Sequence, residues 1–368
     1  MRLINLQLTN YRNYGELYLD LKSDKILIIG KNAQGKTNIL ESIYFLSSLK
    51  TPRTSNIQEL INFEKDKVTI SANIIKSNTE VELDYSYDRE KHRELKVNKV
   101  KTTPKNFKTV LKTVLFSTAD LMLLRGNPSD RRDWLDRAIS QIYPAYDERL
   151  SKYDKIRIQK NNCLKEYLKT GNLNETLLDV YNEQLVITGS NIIYLRIKFL
   201  DEIEKIAKDK HRIISSTEEL KIRYNCSFLG DEQKELDQIV EAFKVAIEEK
   251  KGEELRRGQS CLGPHRDDIE FFINNNDASK FASQGQQRTI VLALKLSELD
   301  IITAKTGDEP VLLLDDVLAE LDDLRQNYLL QSINKGTQTI ITSVDTLLFE
   351  EKFLEGVKLY NVENGAIK

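Results

Sequence analysis

Hydrophobic positions change their spacing several times along this chain, and each change predicts a different kind of element. Near the start, Leu3, Leu6 and Leu8, then Leu17, Leu19 and Leu21, sit among polar neighbours at strand-like spacing. They predict two strands joined by a turn around Tyr14-Gly15. The short run Lys25-Ile-Leu-Ile-Ile29 is almost wholly apolar, as expected of a strand covered on both faces. From Thr37 onward, Ile39, Leu40, Ile43, Tyr44 and Leu46 recur at helical spacing. Alternation returns at Val68, Ile70, Ala72 and Ile74 and again at Val81, Leu83 and Tyr85, so residues 66 to 88 read as a hairpin turning at Ser77-Asn78.

From about Asp130 glycine and proline become scarce and long helical patterns take over. Leu178, Leu185, Ile192, Phe199 and Ile206 recur every seven residues, with Tyr181, Thr188 and Leu195 between them. A helix over these heptads is on the order of 40 Å long at about 1.5 Å per residue. Tyr146, Leu150, Tyr153, Ile156, Leu164, Tyr167 and Leu168 supply an amphipathic partner. Leu220, Ile222 and Tyr224 read as a strand inside or beside this arm, and Gln233 to Glu254 as a further helix. After Gly258, strands are expected at Ile269, Phe271 and Ile273, at Val311 to Leu314 and at Gln338 to Thr342. Between them a helix opening at Ser283 shows Ile290, Leu292, Ala293, Leu296 and Leu299 on one face. The expected organisation is an α/β head from residues 1–125 plus 258–368, split by a helical, coiled-coil-like arm over 126–257.

Composition bounds the chemistry. At 368 residues, 40% apolar and 30% charged, the chain is long enough for two cores. With neither a leader pattern nor a long uncharged apolar run, it reads as cytoplasmic. Cys163, Cys226 and Cys261 lie far apart, which speaks against a disulfide framework or structural zinc and for buried, reduced thiols. Net charge is −2, yet its distribution is uneven. Between Arg89 and Lys112 nine basic residues (Arg89, Lys91, Arg93, Lys96, Lys99, Lys101, Lys105, Lys108, Lys112) stand against Glu90 and Glu94, while residues 231 to 254 lean acidic. The basic stretch reads as a footprint for phosphate backbones, or as a solvated face of lysine-rich hairpins.

Two stretches carry nucleotide chemistry, and they stand at opposite ends of the chain. Gly30-Lys31-Asn32-Ala33-Gln34-Gly35-Lys36-Thr37 satisfies G-x-x-x-x-G-K-[ST] between a predicted strand and a predicted helix. Its glycines let the backbone amides wrap a phosphate, Lys36 reaches the outer phosphates, and Thr37 offers a hydroxyl to Mg²⁺. Val311-Leu-Leu-Leu-Asp315-Asp316 completes the metal side. Asp315 is expected to hold Mg²⁺ through water, and Asp316 stands where a base orients the attacking water. Lys36, Asp315 and Asp316 are thus the candidate catalytic residues, with Thr37 and Asp315 at the metal. A phosphate loop so far from its acidic partner implies one ATPase domain interrupted by an insertion.

Ser283-Gln-Gly285-Gln286-Gln-Arg288 is a second anion site at a helix start. Here the sequence resembles the ABC-type ATPases, whose signature caps the γ-phosphate held by another subunit, so Ser283, Gly285 and Gln286 are carried over as nucleotide-binding residues acting across a dimer. Ala319-Glu-Leu-Asp322 matches the family's D-loop. Several further blocks narrow the match: Asn10-Tyr-Arg12-Asn13-Tyr14, Val114-Leu-Phe-Ser117, Arg125-Gly-Asn-Pro-Ser-Asp-Arg-Arg132, Gly263-Pro-His-Arg-Asp-Asp268 and Leu313-Leu-Asp-Asp-Val317. In this order across nearly the whole chain they resemble the RecF family of bacterial recombination mediators. The resemblance implies an ATP-dependent homodimer that clamps double-stranded DNA at gap junctions beside single strands. It also implies RecR and RecO as partners, recombinase RecA loading, roles in replication, repair and the SOS response, and a weak DNA-dependent ATPase used as a switch. Arg12 and Asn13 are expected to approach the nucleotide from the first strand.

The chain departs from the wider ABC pattern in three ways. Asp316 replaces a glutamate, Ser117 and Thr118 stand where related heads carry a glutamine, and neither Thr342 nor Ser343 is a switch histidine. His265 reads as a turn-structuring residue, with a catalytic acid as the other reading. Arg131, Arg132 and Trp134 read as anchors of the arm to the head, or as DNA contacts. The competing functional reading is the ATPase subunit of a transport or protein-only machine, for which the heptads and the basic segment are awkward. A chromosome-organising ATPase shares the head but needs arms of hundreds of residues.

Overall fold

The computed structural model describes residues 1–368 except Ser55, Asp231, Asn334 and Lys335, and of Lys352 the backbone alone; Asp231, the first residue of the acidic run, therefore lies outside the described residues. The chain divides into two units. The first comprises residues 1–122, 209–217 and 283–368, and the second residues 123–208 and 218–282.

Two sheets build the first unit. One is antiparallel, in the order Tyr14–Asp20, Arg2–Tyr11, Lys67–Lys76, Thr79–Asp88, Arg93–Val97, Val100–Lys101. The turn between its first two strands lies at Arg12-Asn13, with Tyr11 paired to Tyr14, and not around Tyr14-Gly15 as the pattern suggested. Arg12 takes φ 50 there, a left-handed conformation that propensity gives no reason to expect of arginine. The Ser77-Asn78 turn is as expected, both residues having positive φ.

The other sheet runs Ala366–Ile367, Lys358–Glu363, Lys25–Ile29, Thr339–Ser343, Val311–Asp315, Thr113–Ser117. All but its first pair are parallel. Such strands need cover on both faces, which explains the unbroken apolar runs. Leu6, Leu8 and Leu19 of the antiparallel sheet, Ile26, Ile28, Leu313 and Ile340 of the parallel one, and Ile39, Ile43 and Phe45 of the helix Lys36–Ser48 share one core. The helix Gln284–Thr306 departs from its predicted single apolar face, because every residue from Thr289 to Leu299 is buried. Its buried Lys295 is neutralised by Asp120 at 3.0 Å and Glu298 at 3.5 Å.

Helices Pro128–Ile142, Tyr146–Thr170 and Leu236–Arg257, most of the helix Glu175–Ser215, and a three-stranded sheet form the second unit. That sheet pairs Leu220–Asn225 with Asp268–Ile273, which pairs in turn with Asn276–Asp277. Residues 258–282, expected in the head, therefore group with this unit, because their strand found its partner there. Alternation predicts a strand but not the sheet it joins.

The heptad reading also needs correction. Leu178, Leu185, Ile192 and Phe199 are buried, but Ile206, Tyr181, Thr188 and Leu195 are only half-buried. The inner seam lies one residue later, at Asn182, Gly189, Arg196 and Ile203. A Cβ on Gly189 would stand 2.7 Å from Phe243. Arg196 is buried against Asp136 in a two-pronged pair (2.9 and 2.8 Å) and donates to the Pro264 carbonyl at 2.6 Å. Globular packing with buried polar pairs, not a bare coiled-coil seam, thus decides which face is covered.

Arg131 grips Asp268 through Nε and Nη2, both at 2.8 Å, Arg132 donates to the Asp267 carbonyl at 2.7 Å, and Trp134 is 1% exposed beside Phe271. These contacts tie the second unit internally, where an anchor to the head was expected. The three cysteines are free, but only Cys226 is buried. No helix among the described residues is long and apolar enough to cross a membrane.

Candidate functional site

The site gathers at the carboxyl ends of the parallel strands, where open α/β sheets present ligand-binding crevices. The strand Lys25–Ile29 delivers the loop Gly30–Gly35 directly into the helix that begins at Lys36. Gly30 (φ 155), Ala33 (φ 65) and Gly35 (φ 115) all have positive φ, bending the loop back on itself. A Cβ on Gly30 would stand 2.3 Å from the Val362 carbonyl oxygen, and one on Gly35 would stand 2.6 Å from Asn13 and 2.7 Å from the Tyr14 hydroxyl. Only glycine fits either place.

Lys31, Asn32 and Ala33 are exposed at the tip of this cradle. Gln34 is tied down on two sides: its carbonyl accepts from Asn13 Nδ2 at 3.2 Å and the Gly365 amide at 3.3 Å, and its Oε1 accepts the Asn364 amide at 2.6 Å. The carboxy-terminal hairpin thereby holds a loop more than 300 residues upstream.

Lys36 is 3% exposed and folds over the loop, donating to the Gly30 carbonyl at 2.8 Å. Its Nζ lies 3.8 Å from Asp316 Oδ2. Thr37 Oγ1 donates to Asp315 Oδ1 at 2.9 Å, and Thr342 Oγ1 donates to the same oxygen, also at 2.9 Å. Burial pushes the Asp315 carboxyl above its ordinary pKa, and the two hydroxyl bonds oppose that shift. Asp316 takes φ 51, and its Oδ1 is buried with no hydrogen-bond partner among the described residues.

These residues fit a nucleotide and a divalent cation. Thr37 spends its proton on Asp315 and so keeps oxygen lone pairs for a cation. Asp316 has a buried acceptor to fill, and the loop runs directly into a helix N-terminus, where an anion is favoured. Among the described residues no group of three or more His, Cys, Asp or Glu could hold a metal ion by itself. A cation here would therefore take most of its oxygens from phosphates and water, as Mg²⁺ commonly does.

Arg12, expected to approach the nucleotide, is paired within its own chain. It donates to Glu41 Oε1 at 2.8 Å, while Arg53 reaches the other oxygen of Glu41, a carboxylate 1% exposed in the loop's own helix. Asn13 does meet the loop, and it also accepts from Asn38 at 2.6 Å. Glu41 and Arg53 were not legible as site residues. A glutamate on the buried face of an amphipathic helix was the available signal, since such a group needs a cation.

The Ser283 motif opens the helix Gln284–Thr306 through a capping box: Ser283 Oγ accepts the Gln286 amide at 3.2 Å, and Gln286 Oε1 accepts the Ser283 amide at 2.7 Å. Its residues line the open start of that helix, and Ser283 Oγ already accepts one of the helix's free amides. The expected D-loop is bound to this motif within one chain. Arg288 pairs with Glu320 at 3.2 Å, and Arg325 donates to Thr289 at 2.8 Å while pairing with Asp322. A Cβ on Gly285 would stand 3.2 Å from Arg325.

The basic segment is thinner than its count. Lys108 and Lys112 are buried, and Lys96 and Lys101 pair with Glu94 at 2.8 and 2.9 Å. Arg89, Lys91, Arg93, Lys99, Lys101 and Lys105 are exposed. His265 is held by Tyr153 at 2.8 Å, and burial, aided by Arg157 and Arg266, lowers its pKa to about 3. A neutral imidazole within the second unit fits the structural reading and not the acid.

Comparison with known proteins shows the family and the fold. The chain matches the RecF/RecN/SMC N terminal domain family over residues 2–368. It is 38% identical over 369 residues to the DNA replication and repair protein RecF of Bacillus subtilis (strain 168), covering 100% of both chains. The corresponding protein of Bacillus thuringiensis (strain Al Hakam) is 39% identical, with 100% of this chain and 98% of that one covered. Among solved structures, the recombination mediator protein RecF-ATP of the RecFOR pathway superposes with a TM-score of 0.91 at 32% identity, covering 100% of this chain and 97% of that one. An Smc head bound to the C-winged helix domain of ScpA, at 14% identity and a TM-score of 0.57, shares the fold alone. With an ABC-type ATPase head built around this loop and this acidic strand, the chain belongs to the RecF family of DNA replication and repair proteins.

Proposed function

We propose that this chain is an ATP-gated mediator of recombinational DNA repair acting in the RecFOR pathway, in which nucleotide binding closes a homodimer on DNA. The observation that carries the reading is the set of hydrogen bonds converging on Asp315 from Thr37 and Thr342 beside the buried Lys36 ammonium. This is a cradle for a triphosphate and its cation, in a chain that superposes over its whole length on a relative solved with ATP. Bound Mg²⁺-ATP supplies a phosphoanhydride to cleave and a charge to share between two protomers.

The chain's own residues divide the work. Lys36 neutralises the outer phosphates, the amides of Lys31 to Thr37 cradle them, and Thr37 with Asp315 holds the cation. Asp316 accepts the proton of the attacking water, and its side chain, one methylene shorter than the usual glutamate, supports slow turnover. Ser283, Gly285 and Gln286, at the open helix start, cap the phosphate held by the partner protomer. Hydrolysis then acts as a timer that reopens the clamp. Moving a dimer equilibrium from mostly open to mostly closed takes a differential affinity of about 5.5 kcal/mol, which a ligand fully contacted only in the closed state supplies. The exposed basic residues between Arg89 and Lys105 supply the DNA-facing charge. Family membership supports RecR and RecO as partners and RecA loading at gaps as the role.

Replacing Ser283 with arginine tests the reading. ATP affinity is expected to survive while ATP-induced dimerisation, followed by light scattering on gapped duplex DNA, fails. Dimers forming at the wild-type ATP concentration would show that the motif does not act across subunits.

A further inference from the structure

The strand Thr339–Ser343 ends beside the acidic pair with Thr342 1% exposed. One hydroxyl there serves two consecutive aspartates. It donates to Asp315 Oδ1 at 2.9 Å and accepts the Asp316 amide hydrogen, also at 2.9 Å. The Leu314 carbonyl lies farther off, at 3.4 Å, and the single proton goes to the nearer, charged acceptor. The consequences for the two acids differ. Asp315 is held in the rotamer that also meets Thr37. Asp316 is held by its backbone, in a left-handed conformation that aspartate tolerates better than most residues and that the Thr342 bond fixes. That conformation brings its carboxylate to 3.8 Å from Lys36 Nζ and buries its unpartnered Oδ1.

We infer that Thr342 is a positioning residue of the nucleotide site, its hydroxyl setting both the cation-holding carboxylate of Asp315 and the water-orienting carboxylate of Asp316. The inference rests on the ATP reading of the site and deepens it. Where an ABC head carries a switch histidine that reaches the phosphate itself, this chain uses a side chain too short to do so, and acts through the acids instead. Valine keeps the shape of threonine but can neither donate to Asp315 nor accept from Asp316. Serine keeps both bonds.

The test uses the full chain, a fluorescent ATP analogue and a MgCl₂ titration, with Thr342→Val and Thr342→Ser beside the wild type. Loss of a partner that orients a metal ligand typically weakens metal affinity about 10–100-fold. The valine variant is therefore expected to need about 10–100-fold more Mg²⁺ for tight analogue binding and to hydrolyse ATP slowly even when saturated. The serine variant should return close to wild type in both. A purely packing role would leave the Mg²⁺ requirement of the valine variant unchanged, or would leave serine as impaired as valine, and either result overturns the inference. If Thr342→Val does not fold, Thr342→Ala, which likewise can neither donate nor accept, takes its place under the same criterion. A wild-type chain that fails to bind the analogue overturns the ATP reading as well, whereas normal wild-type binding with an unshifted valine variant overturns only the role of Thr342.

Discussion

Replacing Gln338 with methionine should unfasten the seam between the two sheets of the first unit. Gln338 is 1% exposed and immediately precedes the central strand Thr339–Ser343. Its Oε1 accepts the Leu3 amide at 2.7 Å, and its Nε2 lies within donating distance of the Leu3, Leu21 and Ser23 carbonyls at 2.9, 2.5 and 3.2 Å. The side chain fills an irregularity in the first strand, whose register against Lys67–Lys76 shifts between Leu3 and Asn5. Methionine matches the volume but offers no partner. Leu3 and Leu21 are fully buried, so water cannot replace the lost bonds. A buried donor left unpaired costs about 1–3 kcal/mol, and carbonyls with a second lone pair lose less, so the loss is roughly 3 kcal/mol. For a cooperative unit of roughly 200 residues this lowers Tm by about 6–12 °C. Scanning calorimetry of the wild type and Gln338→Met reads the shift directly. A fall of less than about 2 °C would mean that the backbone finds other partners and that the seam does not depend on this amide.

Two further outcomes are expected. Gly35→Ala puts a methyl group within 2.7 Å of Asn13 and Tyr14 at φ 115, so isothermal titration should show ATP affinity reduced more than about tenfold; wild-type affinity would refute the cradle. For His265 the sign follows from a folded pKa of about 3 against an ordinary 6.5. The unfolded chain takes up a proton that the folded chain refuses, so this group costs stability as pH falls from about 6.5 toward 3, at up to about 1.4 kcal/mol per pH unit. The acid-side drop in Tm should be shallower in His265→Gln, and an identical slope would refute the assignment.

How legible the site was in the sequence varied residue by residue. Gly30 to Thr37 could be read because one continuous stretch carries its own geometry: a strand, two glycines and a helix start need no distant partner to make an anion cradle. Asp315 was equally legible, since a buried apolar run ending in a carboxylate places that carboxylate at the end of a strand. Ser283 could be placed at the start of a helix for the same reason. Arg12 could be read as a residue approaching the nucleotide, but its pairing with Glu41 could not, because Glu41 announces itself only as one more polar residue in an amphipathic helix. Thr342 was legible as a missing histidine, not as a hydroxyl bridging two acids.

Local order, then, is what this sequence settled unaided: the strand, loop and helix at the nucleotide site, the helix start at Ser283, and the insertion that separates the phosphate loop from Asp315. Tertiary structure alone decided which sheet claimed Asp268–Ile273, which heptad face of Glu175–Ser215 was covered, and which of the lysines near Lys96 remained exposed. The physical reason is the range of the forces involved. Periodicity, glycine conformations and caps act over a few residues, whereas a buried charge such as Arg196, Glu41 or Lys295 is tolerated only when a partner beyond its own turn of chain arrives to neutralise it.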